Sequence, residues 1–237
     1  MGSLTQTLVS VCGDARFAGM GNSHANGDKL FGEAKSLYSA GDYHMACRKW
    51  KECLELRQRV LGREHPRALA TMHWLASALH HAGEHGEAVS VGRECLQLRQ
   101  RVLGKEHKDT VTTMNNLALA LDRAGEHGEA VSVGRECLQL RQRVLDKEHP
   151  HTLITTHNLA LALDRAGDYG EAVSVGRECL QLRQRVLGKE HQDTLTTMSN
   201  LALALDHAGE RCEAVSVGRD CLQLRQRVLG KEHKDTL

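Results

Sequence analysis

Cys53, Cys95, Cys137, Cys179 and Cys221 have the chemistry to bind a metal or form disulfides, and they recur every 42 residues. Helices that pack side by side sit ~8–10 Å apart. Equivalent positions in successive repeats are therefore expected to lie ~10 Å or more apart, beyond the ~7 Å between Cα atoms that a disulfide spans. A thiol on an apolar stripe behaves as a small hydrophobe, so packing is the expected role. Cys12, Cys47 and Cys212 have no partner at metal-ligand spacing. Of the fifteen histidines, His65, His107, His149, His191 and His233 fall in one recurring segment, KEH or REH, between apolar stripes. Such periodicity reads as a loop or cap position. His80 and His81 lack the carboxylate spacing of an HExxH site, and no Gly-x-Ser-x-Gly or phosphate-binding loop occurs. No catalytic residues, metal or cofactor are expected.

Charge excludes further classes. Thirty-one Lys and Arg balance thirty Asp and Glu, for a net charge of +1. That gives no electrostatic reason to expect a nucleic-acid partner. Arg135, Arg141 and Arg143, interleaved with Glu136 and Gln139, read as the solvated side of a helix; a basic stripe for acidic partners or RNA is the alternative. No apolar run reaches the ~18–20 residues of a membrane span. The N-terminus has no basic segment ahead of its short apolar run, and Gln6 stands where myristoylation requires Ser or Thr. A membrane-free, cytoplasmic protein with reduced thiols is expected.

The elements that must position these residues follow from the period. Ala-Gly pairs begin at Ala40, Ala82, Ala124, Ala166 and Ala208, and the last unit is incomplete. Each unit holds two helical patterns. In one, Met114, Leu117, Ala118 and Leu121 share a face, and Gly125 follows as a helix stop. In the other, Ala130, Val133, Cys137, Leu140 and Val144 form a stripe. Gly104, Gly188 and Gly230 end the equivalent helices, with Asp146 in one copy; Thr110 or Thr152 would cap the following helix. No stretch alternates with period two. Each hairpin has two apolar faces and can bury both only by stacking on neighbours.

The run NNLALALDRAGEHGEA (115–130) and GDYGEA (167–172) resembles the tetratricopeptide repeat, as do Gly41-Asp42-Tyr43, Ala46 and Trp50 in the first unit. The 42-residue length, against the usual 34, and the LGKEHPxT segment resemble the kinesin-light-chain type. That type is also found in nephrocystin-like proteins and behind NACHT or NB-ARC modules. The resemblance runs from Ala25 to the end and implies an all-α, right-handed solenoid of about five antiparallel hairpins over 25–237, after a flexible segment at 1–24. Gly92, Gly134, Gly176 and Gly218 depart from it, standing where the family often has a bulkier residue, as at Trp50.

The resemblance also implies a site. The first helix of each hairpin would line a concave groove that binds an extended peptide. Candidates on α-helical phase are Asn115, Asn116, Leu119, Asp122, Arg123, Asn158, Leu161, Asp164, Arg165, Asn200 and Leu203. Asn116, Asn158 and Asn200 match the family's groove asparagine, whose amide can both donate to and accept from a peptide backbone. The other reading has these amides bonding the neighbouring helix. Leucines would add apolar contact, and Asp122, Arg123, Asp164 and Arg165 charge selection. The implied function is a non-catalytic scaffold for a protein or peptide partner, of kinesin-light-chain-like adaptor type. A sensor or oligomerisation region of a signalling protein, or a structural spacer, are the alternatives. The incomplete repeat at 233–237 implies an uncovered last hairpin and possible self-association through it.

Overall fold

The structure, a computed structural model, describes residues 24–230. The flexible segment expected at 1–24 lies outside them except for its last residue, as do Cys12, His233 and the further helix expected from 233 onward. The described residues form helices and turns without a strand. α1 occupies residues 24–39. It is followed by α2 (Tyr43–Leu61), α3 (Pro66–His81), α4 (His85–Leu103), α5 (Lys108–Arg123) and α6 (His127–Val144). Then come α7 (Pro150–Ala166), α8 (Tyr169–Val186), α9 (Gln192–His207) and α10 (Arg211–Leu229). Even-numbered helices from α2 are the longer second helices of the hairpins, and odd-numbered ones the first. Contacts divide the chain within α5, into a unit up to Asn116 and a unit from Leu117. Each is described by itself.

Helix ends follow local chemistry. First helices begin at histidine: Nδ1 of His65, His107, His149 and His191 accepts from the backbone N–H two residues on, at 3.1–3.2 Å. The periodic histidines are therefore caps. Thr110 and Thr152 are not: they lie inside α5 and α7 and are buried. The imidazole nitrogen reaches the orphan donors first and leaves the threonines to the interior. Gly125 stands just beyond α5 with φ 85°, a left-handed stop. Asp146, in the place of Gly104 and Gly188, is held at φ 113°. Its Oδ1 accepts from the backbone N–H of Glu148 and His149 at 2.8 and 2.7 Å, which offsets the cost of that conformation.

Within each unit, successive helices pack as antiparallel neighbours. In the first, α2 packs on α3 and α3 on α4; in the second, the contacts run from α6 through α10 in order. The same cluster recurs three repeats apart. Leu69, Met72 and Cys95 pack with Leu54, Val91 and Leu98. Leu195, Met198 and Cys221 pack with Leu180, Val217 and Leu224.

The seam between a second helix and the next first helix holds a buried arginine. Arg99 Nη1 donates to the Asp109 carbonyl at 2.7 Å and to Thr113 Oγ1 at 2.6 Å. Arg183 does the same to Asp193 and Thr197, at 2.7 and 2.9 Å, and Arg57 to Arg67 and Thr71, at 3.1 and 2.9 Å. Arg141 donates to the His151 carbonyl. The assignment of Arg141 to a solvated face is thus corrected: it is buried, because it follows Cys137 by one turn and so lies on the apolar stripe. Its identity between copies is a packing requirement. Charged hydrogen bonds of this kind contribute ~1.5–3 kcal/mol each.

The periodic cysteines bond inside each hairpin, from the second helix to the first. Their thiols donate to a carbonyl 26 residues earlier, from Cys53 to Gly27, Cys95 to Leu69, Cys179 to Leu153 and Cys221 to Leu195. All five periodic cysteines are buried and outside any disulfide, as packing residues should be. Burial pushes Cys95 and Cys179 up to about 11, which leaves them protonated and unreactive at neutral pH.

Candidate functional site

The candidate residues project from the first helices, and the structure sorts them by depth. Asn116, Asn158 and Asn200 are half-buried. Leu119 and Leu161 are half-buried, and Leu203 is 58% exposed. Arg123 and Arg165 are exposed. Asn115 does not belong to this open face. It is buried, at the repeat position that His73 and His157 fill elsewhere. Its helical phase lies a full step of 100° behind Asn116.

Asp122 is also buried, because its carboxylate is engaged within its own unit. It pairs with Arg165 and accepts from His127 Nδ1 at 3.2 Å. One repeat on, Asp164 pairs with His207 Nδ1 at 2.8 Å. That hydrogen bond raises His207 above its usual pKa. Each aspartate thus reaches the cation of the next repeat. Much of the charge expected to select a partner instead joins neighbouring first helices.

Asn200 shows the alternative reading of the asparagines at work. Its Nδ2 donates to Nε2 of His157 at 3.3 Å. The ring's other nitrogen lies 3.4 Å from Thr197 Oγ1, the hydroxyl that also accepts from Arg183. Burial pulls His157 down to about 4, and His73 likewise, so both rings are neutral at pH 7. The amide oxygen of Asn200 is left for other partners. The space that His157, Asp164, Thr197 and Asn200 line between α7, α8 and α9 has room for the centre of about one water molecule, ≈ 10 Å³. An organic ligand does not fit in that space.

The unit ending at Asn116 presents different chemistry at the same register. Trp74 stands where Asn116, Asn158 and Asn200 stand, and Ser77 where the leucines do. Tyr38 packs edge-on to Tyr43 and Trp74 at 5.3 and 5.7 Å. Tyr43 stacks on His81 at 5.1 Å, and Trp74 on the buried Trp50 at 5.8 Å. Trp74, Tyr38 and His81 are absent from the sequence-based candidates. The available signal was the departure of Trp74 from the asparagine register.

Outward-facing charges are largely paired along the array. Lys51 reaches Glu87 at 2.8 Å, Arg135 reaches Glu171 at 2.6 Å, and Arg177 reaches Glu210 and Glu213 at 2.7 Å. Arg101–Glu64, Arg185–Glu148 and Arg227–Glu190 repeat the pattern. The arginines therefore do not form an unbroken basic stripe among the described residues. No group of three or more metal-ligating side chains occurs among them, and no helix there is long and apolar enough to cross a membrane.

Comparison with known proteins agrees with this geometry. The tetratricopeptide repeat models match residues 30–91, 67–142, 152–193 and 194–235. No curated protein matches the chain. Among solved structures, it is similar to the nearly identical TPR-like repeats assigned to a kinesin light chain of Podosopora anserina. That match has 25% identity and a TM-score of 0.76, covering 85% of this chain and 96% of the other. BtubC (BKLC) from P. vanneervenii shares the fold at 18% identity and a TM-score of 0.74, over 99% of this chain and 95% of the other. A Rap protein complexed with Competence and Sporulation Factor does so at 12% and 0.66, over 86% and 54%. By its repeat matches, its 42-residue hairpins and these neighbours, the chain belongs to the tetratricopeptide repeat family and is of the kinesin-light-chain type.

Proposed function

We propose that the chain is a non-catalytic scaffold that holds an extended peptide segment of a partner protein along its first helices, in the manner of a kinesin-light-chain-like adaptor. The tetratricopeptide fold supports a protein–protein interaction scaffold in general. The observation that carries the finer reading is the recurring set Asn-x-x-Leu-x-x-Asp-Arg on α5 and α7, continued by Asn200 and Leu203 on α9. The amides are half-buried and Leu203 is exposed. A backbone needs both a donor and an acceptor, and apolar side chains beside it supply non-specific affinity. A reducing, cytoplasmic setting suits the buried thiols, and self-association through the last hairpin belongs to the same reading.

The experiment replaces Asn116, Asn158 and Asn200 with Ala and titrates a partner captured with the native protein. Each hydrogen bond contributes ~0.5–1.5 kcal/mol, so binding should weaken by ~10-fold or more. Gln97, Gln139 and Gln181, exposed on the second helices, are the matched control, and their replacement should leave binding unchanged. Equal losses in both variants would remove the first helices as the site. The spacer reading is favoured by one observation, the Asn200–His157 bond, which spends an amide on the neighbouring helix. It predicts no loss in either variant.

A further inference from the structure

We infer that the aromatic patch of Tyr38, Tyr43, Trp74 and His81 is a subsite for a basic side chain, arginine above all, of the bound peptide. The inference rests on the peptide-binding reading and names what one end of that surface recognises. The patch is half-buried except at His81, which is exposed. Trp74 occupies the register that carries Asn116, Asn158 and Asn200 elsewhere, and Tyr38 the one that carries Asp122 and Asp164. Its rings present faces: Tyr43 and His81 are stacked with planes 24° apart, and Trp74 lies on Trp50 at 21°. Tyr38 Oη is tied to Ser77 Oγ at 3.0 Å, which fixes the ring that touches all the others. Aromatic faces are electron-rich and attract a cation, most strongly at Trp.

Two carboxylates lie close to the rings in sequence. Asp42 caps α2 directly before Tyr43, accepting from Met45 N at 3.1 Å. Glu84 precedes α4, three residues after His81, and lies 3.4 Å from His44. The nearby basic side chains are committed elsewhere. Lys51 is held by Glu87 at 2.8 Å, and Arg48 is directed at the sulfur of Met45. Faces of aromatic rings beside carboxylates complement a guanidinium better than an apolar group or an acid.

The same unit already contains the arrangement in intramolecular form. Arg57 lies 4.7 Å over the ring of Phe31, with its Nη2 2.8 Å from Asp28 Oδ1. A ring below and a carboxylate beside hold that guanidinium. The surface patch offers the same two partners to a guanidinium from outside.

The chain has two tryptophans, Trp50 and Trp74, and both lie in this cluster. Tryptophan emission therefore reports on the patch directly. The probes are three flexible nonapeptides, (Gly-Ser-Arg)3, (Gly-Ser-Leu)3 and (Gly-Ser-Glu)3, each also made with a fluorescent label for anisotropy. The arginine peptide should change the emission saturably, and the other two should not over the same range. Trp74→Asn, which restores the residue of the other repeats, should weaken the labelled arginine peptide by about ten-fold or more. Asp42→Asn with Glu84→Gln should weaken it with the aromatic platform intact. Tighter binding of the leucine or glutamate peptide, or unchanged arginine-peptide affinity in Trp74→Asn, would overturn the inference. The asparagine triple variant separates the two readings. If it binds the arginine peptide normally while Trp74→Asn does not, the subsite stands and the asparagine reading falls. The reverse pattern removes the subsite alone.

Discussion

In the unit ending at Asn116, Trp50 is fully buried and stacks on Trp74. In the unit beginning at Leu117, the equivalent positions are Gly134, Gly176 and Gly218. A Cβ on Gly134 or Gly176 would come within 3.3 and 3.2 Å of a Leu159 or Leu201 methyl, so the leucine of the next first helix crowds out a larger side chain there. Yet the recurring polar bonds are the same in both. Arg99 and Arg183, Cys95 and Cys179, His107 and His191 make the same contacts. The difference shows which positions are free. Side chains that meet other side chains can change together, whereas a backbone carbonyl or N–H offers the same partner whatever residue carries it.

This contrast can be broken most severely at Trp50. Trp50→Ala should cost ~3–5 kcal/mol, the range for a buried aromatic truncation. Hydrogen exchange should accelerate in α2 and α3 while α7 to α9 keep their protection. Loss spread equally over both units would mean that the indole fill is not local. Arg99→Ala and Arg183→Ala come next, at ~2–3 kcal/mol each, because each removes charged hydrogen bonds to a carbonyl and a threonine hydroxyl in a buried seam. Urea unfolding of the two variants should give matching losses; unequal losses would show that the shared seam is not equally important in the two units.

Acid sharpens the comparison through His73 and His157, one in each unit, both pulled down to about 4 by burial. A depressed pKa means the folded state resists protonation that the unfolded chain accepts near 6.5. Their contribution is whole above pH 6.5 and shrinks as pH falls toward 4, by ~2 kcal/mol per ring at pH 5. His73→Asn and His157→Ser import the residues of other repeats, Asn115 and Ser199, and should flatten the fall between pH 6.5 and 5 in melting curves. His207 runs the other way. Its pKa is raised by Asp164, so its contribution is present below pH 6.5 and is lost as pH rises through the elevated value. The smallest effect lies at the glycines. Gly176→Ala should come out ~1 kcal/mol worse than Gly170→Ala in the same helix, where nothing lies within 4 Å of the added methyl. Equal outcomes would mean that Leu201 yields freely.

Much of the architecture was legible in the residues. Apolar spacing marked two helices per repeat, Gly125 marked a helix end, and the periodicity of His107 and His149 marked them as caps. Arg141 was misread because arginine is usually exposed, although its spacing from Cys137 already put it on the buried stripe. Thr110 and Thr152 looked like caps by residue type, and only the imidazole geometry shows that the position is already filled. For the candidate face, the positions chosen by helical phase are half-buried at Asn158 and Asn200 and exposed at Leu203. It could not show that Asp122 and Asp164 are neutralised from the next repeat. That pairing depends on how consecutive first helices stand, which no single helix encodes.

The backbone bonds of the seam have a genetic consequence. Arg57, Arg99, Arg141 and Arg183 each recognise a carbonyl, and a carbonyl is the same in every repeat. One 42-residue block can therefore follow another without redesign of either. Unequal crossing-over within such a gene would delete or add whole blocks and leave each new junction chemically satisfied. The length of the array could then drift between individuals.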